Sequence, residues 1–121
     1  MKTNLISPTA HHLNDYALSV VLLTAPRMLH LNKRSQLFYR GLALNLLGYA
    51  AFSDHPFAIR RMITKEEHYK MDMANLAGLA LAIVSKQARK NKKTLLFHLG
   101  ILAFSTFNVL LTDWSPSIVK K

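Results

Sequence analysis

Charged residues are absent from four stretches of the chain, Tyr16 to Pro26, Gly41 to Ser53, Met73 to Ser85 and Thr94 to Thr112, each at least three helical turns long. No run alternates apolar and polar residues as a half-buried strand does, so the pattern predicts an all-α chain. Helices are expected at about His12 to Leu31, Ser35 to Ser53, Glu67 to Lys90 and Lys93 to Thr112. A surface helix of a soluble bundle carries charge on its outer face. Four helices without such a face cannot all lie at the centre of so short a chain, and the expectation is an integral membrane four-helix bundle. Each window is shorter than the ~20 residues that cross a bilayer. Arg27, Arg40, Lys70 and Lys86 complete the spans by reaching toward the headgroups.

Composition narrows the chemistry. The 121 residues form one domain, and the absence of cysteine excludes disulfides, thiolate zinc sites and cysteine nucleophiles. The net charge of +10 would suit nucleic acid if it were spread over one face, but it is segregated by loop. Nine cations and no acid (Arg27, Lys33, Arg34, Arg40, Lys86, Arg89, Lys90, Lys92, Lys93) fall around the first and third connections. Seven cations, Lys2, Lys120 and Lys121 among them, fall at the other ends beside all six acids. Excess Lys and Arg marks cytoplasmic loops, so the termini face outward, from a prokaryotic inner membrane. Anionic lipid headgroups are the expected counterpart of the basic side, with a protein partner or a second copy also possible, and no nucleic acid. A soluble basic helical adaptor is the competing reading, because the spans are short.

The chain also matches itself. A shift of 57 residues places Ile6 on Ile63, His11 on His68, Asp15 on Asp72 and Leu22 on Leu79. After a two-residue adjustment Leu37-Phe38 falls on Leu96-Phe97, Gly41 on Gly100, and Ser53-Asp54 on Thr112-Asp113. Repeat 1 then covers about 6–56 and repeat 2 about 63–116, each one helical hairpin. Two crossings per repeat give both copies the same orientation in a membrane. Gly41 and Gly100 are the expected points of close packing between the second and fourth helices.

His11 to Tyr16, followed by an apolar run and by Ala25-Pro26-Arg27, resembles the SPW-repeat family of small prokaryotic membrane proteins. Ala25-Pro26-Arg27 stands where that family has Ser-Pro-Trp. The resemblance implies two membrane hairpins from about Pro8 to Asp113 and brings no established activity with it.

The candidate chemistry lies at the helix entries. His11 leads Asp15 by four residues, as His68 leads Asp72, so each pair shares one helix face. If the pairs converge, two imidazoles and two carboxylates form a ligand set for a divalent zinc, manganese or iron ion, with His12 as an alternative ligand. If they stay apart, each is a helix-entry clasp that satisfies its own polar groups. Ser19, Tyr49, Asn75 and Asn108 fall at a similar level, which suggests a polar ligand or proton pocket open to the outer face. Interhelical hydrogen bonds worth ~0.6 kcal/mol each would also account for them.

Tyr39, Phe97 and Trp114 fit interfacial aromatic belts, and His98, the repeat partner of Tyr39, reads as interfacial. No phosphate loop, nucleophile elbow or His-Glu-x-x-His element argues for an enzyme. The leading expectation is a non-enzymatic accessory, scaffold or small subunit with a polar outer pocket. A metal- or proton-binding protein using the duplicated His-Asp pairs is the alternative.

Overall fold

The computed structural model describes residues 5–86 and 88–114, so Lys2, Lys120 and Lys121 and the end of the second repeat lie outside the described residues. Four helices follow in order: α1 (Pro8–Met28), α2 (Lys33–Ala51), α3 (Lys65–Ala82) and α4 (Lys92–Leu110). The all-helical expectation holds. Two isolated bridge pairs, Ile6 with Thr112 and Ser53 with Ile63, take the place of any strand among the described residues.

Each helix begins on a side-chain cap. Ser7 accepts from the Ala10 amide with Pro8 at the first helical position, and Thr64 closes a capping box with Glu67. Asn32 accepts from Ser35 and Asn91 from Thr94, which satisfies the amide ends of α2 and α4. The ends are equally specific. His30 takes φ of 59°, and the amides of His30 and Leu31 return to the carbonyls of Arg27 and Pro26 in a Schellman motif. Pro26 therefore lies inside the last turn of α1.

α3 stops at Ala82, well short of the expected Lys90. The Ser85 hydroxyl donates to the Ala82 carbonyl and accepts from the Ala88 amide, which turns the chain toward α4. A serine so placed offers the backbone an alternative to the next helical turn.

α1 packs along α2, α3 against α4, and α1 also meets α4. All four helices contribute to one core of Leu18, Leu22, Tyr39, Ala43, Leu46, Tyr49, Leu79 and Ile101. The N-termini of α1 and α3 and the C-termini of α2 and α4 share one end. There the Ile6 amide donates to Leu111 and the Asp113 amide to Ile6, while the Ile63 amide donates to Phe52 and the Asp54 amide to Ile63. These bonds join positions related by the same two sequence shifts.

Three expectations about the other end and the helix faces are corrected. Tyr39 is 2% exposed and His98 is fully buried, so neither belongs to an interfacial belt. His98 Nε2–H donates to the Leu79 carbonyl at 2.8 Å, which leaves Nδ1 to accept the Tyr39 hydroxyl at 2.6 Å. Gly41 and Gly100 are exposed, and a Cβ at either would meet nothing within 4 Å, so they give no close helix packing within the chain. Tyr39→Phe should strand the His98 Nδ1 acceptor and cost about 1–3 kcal/mol. Thermal unfolding of the solubilised protein checks this, and an unchanged midpoint would show that the bond contributes nothing net.

Candidate metal centre

The capped entries of α1 and α3 bring His11, Asp15, His68 and Asp72 together, and one ligand atom from each lies within 4.8 Å of all the others. The two pairs converge. The closest contacts run between the helices: His11 Nε2 to Asp72 Oδ2 at 2.8 Å and His68 Nε2 to Asp15 Oδ2 at 2.9 Å. Within each helix the separations are longer, 3.3 Å for His11 to Asp15 and 3.2 Å for His68 to Asp72. All four side chains are buried.

The outer atoms of the same side chains are held by α2, α4 and the residues that follow them. His11 Nδ1 lies 3.0 Å from the Asn108 carbonyl and 2.8 Å from the Thr112 hydroxyl, which itself donates to that carbonyl. Across the ring, His68 Nδ1 lies 2.7 Å from the Ser53 hydroxyl, which donates to the Tyr49 carbonyl. A carbonyl only accepts, and each hydroxyl has spent its hydrogen on one, so both Nδ1 atoms carry the hydrogen and donate. Asp72 Oδ1 accepts from the Tyr49 hydroxyl at 2.6 Å, and Asp15 Oδ1 accepts from the Asn108 amide at 3.2 Å. Every member of the ring is thus fixed from outside and presents one atom to the centre.

This arrangement constrains charge. With Nδ1 donating on both imidazoles, each Nε2 must hold either a proton or a bond to a cation, because a bare lone pair would face carboxylate oxygen. Two buried carboxylates need two positive charges at the centre. Two imidazolium protons supply them, and so does one divalent ion. The pattern of ligand imidazoles donating Nδ1–H to fixed acceptors, with ligand carboxylates held by donors, is how proteins orient metal ligands. Zinc bonds of about 2.0–2.2 Å put tetrahedral ligand atoms roughly 3.3–3.5 Å apart. Of the four N···O edges, those of 3.2 and 3.3 Å are close to that spacing, while an ion would open the 2.8 and 2.9 Å contacts and draw the widest separations, up to 4.8 Å, inward.

The other sequence candidates divide. Asn75 donates to the Tyr49 hydroxyl at 2.6 Å and accepts from Asn45, extending support from Asp72 toward the helix middles. Asn14 donates to Asn108 at 2.8 Å and steadies the Asp15 side. Ser19 bonds back to the Asp15 carbonyl within α1 and takes no part in the ring. A cavity of about 30 Å³ lies on the helix-interior side, lined by Asp15, Tyr49, Asp72, Asn75 and Asn108 of the expected polar pocket and continuing along Leu18, Leu22, Leu79 and Ile101. That is room for about two waters, given the ~10–15 Å³ one requires.

Ser53 and Thr112 were not among the expected site residues, although their correspondence under the sequence shift marked them. Trp114 is half-buried, with its ring 4.7 Å from His11 and 5.2 Å from Tyr69, so it covers the ring. His55, in the connection after α2, donates from Nε2 to the Ala50 carbonyl at 2.6 Å and accepts the Phe57 amide at Nδ1. Burial lowers its affinity for a proton below the ordinary histidine value. Compared with known proteins, the chain matches no family model, no curated protein and no solved structure.

Proposed function

We propose that this chain is a small multi-pass membrane protein of accessory character that binds one divalent metal ion, zinc by the ligand chemistry, at the His11, Asp15, His68 and Asp72 ring. The observation that carries the metal reading is the convergence of four ligand atoms whose outer partners leave only inward-facing positions for the cation. Binding exchanges a divalent ion for two imidazolium protons, so affinity falls as pH falls. Mixed imidazole and carboxylate donors suit zinc, iron or manganese better than calcium or magnesium.

Membrane placement is supported by the distribution of polarity. Among the described residues thirteen polar side chains are buried against thirteen hydrophobic ones, while Leu37, Leu44, Leu81, Val84, Phe107 and Leu110 stand exposed. Among the described residues α4 alone is long and apolar enough to cross a bilayer by itself. For the others the shortfall comes from His11, His12, Asp15 and Arg27 in α1, from Lys33, Arg34 and Arg40 in α2, and from Lys65, Glu66, Glu67, Lys70 and the ring residues in the outer turns of α3. Arg27, Lys33 and Arg40 around one cleft support anionic headgroups on that side, read as cytoplasmic. The matching caps and bridge pairs of the two halves support two parallel hairpin repeats, as the SPW-repeat resemblance implies.

Elemental analysis of gently solubilised protein, with native mass spectrometry of the same sample, is the direct test. One metal per chain is expected, removed by a chelator and restored by zinc. Metal at background in protein that keeps its helical circular dichroism, before and after zinc addition, would reject the site.

A further inference from the structure

We infer that His12 is an additional ligand to this metal ion, supplied by one half of the molecule only; the inference rests on the metal reading above. His12 is fully buried, and neither of its ring nitrogens has a hydrogen-bond partner. A buried imidazole left unpaired on both nitrogens is a standing cost to the fold unless something else uses it. What it faces is the ring. His12 Nδ1 lies 3.9 Å from Asp15 Oδ2, and its ring centroid is 4.4 Å from His68 and 5.3 Å from His11.

The other half makes the equivalent packing without an imidazole. The 57-residue shift puts Tyr69 opposite His12, and the 59-residue shift puts Trp114 opposite His55. His55 Nε2–H donates to Ala50 and Trp114 Nε1–H donates to Val109, positions also 59 apart, so the two rings pin their connections identically. His12 stacks on His55 at 4.1 Å, and Tyr69 meets Trp114 at 5.2 Å. Tyr and Trp therefore suffice for covering the ring. What the imidazole at position 12 adds is a donor nitrogen beside Asp15, on one side of the centre.

The geometry allows its use. Four-coordinate zinc can expand to five ligands, and at five, with bonds of about 2.1 Å, neighbouring ligand atoms stand roughly 3.0–3.6 Å apart. His12 Nδ1, 3.9 Å from Asp15 Oδ2, lies a few tenths of an ångström outside that range, so its use draws the imidazole closer to Asp15.

Cobalt(II) titration of the solubilised full chain tests this, comparing wild type with H12Y, which installs the side chain of the other half, and with H12L. Both variants are expected to bind cobalt about 10-fold or more weakly. Their visible absorption should intensify as coordination drops from five to four. Because each removes an unpaired buried imidazole, the metal-free thermal midpoint should stay level or rise while the metal-induced rise shrinks, which a purely structural His12 would not produce. Wild-type affinity and spectrum in whichever variant retains helical circular dichroism would overturn the role of His12 and leave the four-ligand site standing. A wild-type chain that takes up no cobalt overturns both.

Discussion

His68→Ala should leave the protein without bound metal and lower its stability by about 3–5 kcal/mol, the range for breaking a buried ion pair from one side. His68 Nε2 faces Asp15 at 2.9 Å and Asp72 at 3.2 Å, and its loss leaves two buried carboxylates with one imidazole between them. It also deprives the Ser53 hydroxyl of the donor on its far side. Metal content and the thermal midpoint are to be measured on the same preparation. Asp72→Asn separates two effects, because an amide can keep the bond to Tyr49 through its oxygen while the charge is gone. Under the metal reading both variants lose the ion. If the ring were only a helix-entry clasp, both would be destabilised, yet wild type itself would show no ion to lose. Unchanged occupancy in His68→Ala would remove the two-sided site.

The sequence made the helices and the ring members legible, but not how the members pair. Spacing of four residues suggested His11 with Asp15 and His68 with Asp72, whereas the shorter contacts join α1 to α3. Sequence spacing reports which residues share a helix face and carries nothing about how one helix is rotated against another. The outer support was missed for a related reason. Ser53 and Thr112 look like ordinary residues at the ends of apolar windows, and only their positions opposite two histidines give them a role.

Tyr39 and His98 were misplaced because an aromatic residue near a basic helix end fits an interface and a core equally well by pattern. Their equivalence under the 59-residue shift was the available signal, since related positions meet one another wherever they approach a common axis. Helix ends erred where side chains acted on the backbone. Ser7 with Pro8 started α1 early, and Ser85 stopped α3 early.

Leu44→Arg should prevent stable insertion of α2 if the apolar exterior faces lipid. Leu44 lies near the middle of α2, is 57% exposed and carries no packing role in the core. In water such a surface change would fall within about 0.5 kcal/mol of neutral, and added charge would favour solubility. At the centre of a membrane helix arginine costs about 2.5–3.5 kcal/mol, and the leucine it replaces contributed a few tenths in favour. The same substitution thus has an effect several times larger in one solvent than in the other. Recovery of wild type in membranes after alkaline extraction, with Leu44→Arg shifted to the soluble or aggregated fraction, is the expected result. Equal recovery of both chains as detergent-free monomers would place the exposed leucines in water and support the soluble basic adaptor. The metal ring would survive that outcome, since its four ligands and their outer partners all lie within the fold and none of them depends on the solvent around it.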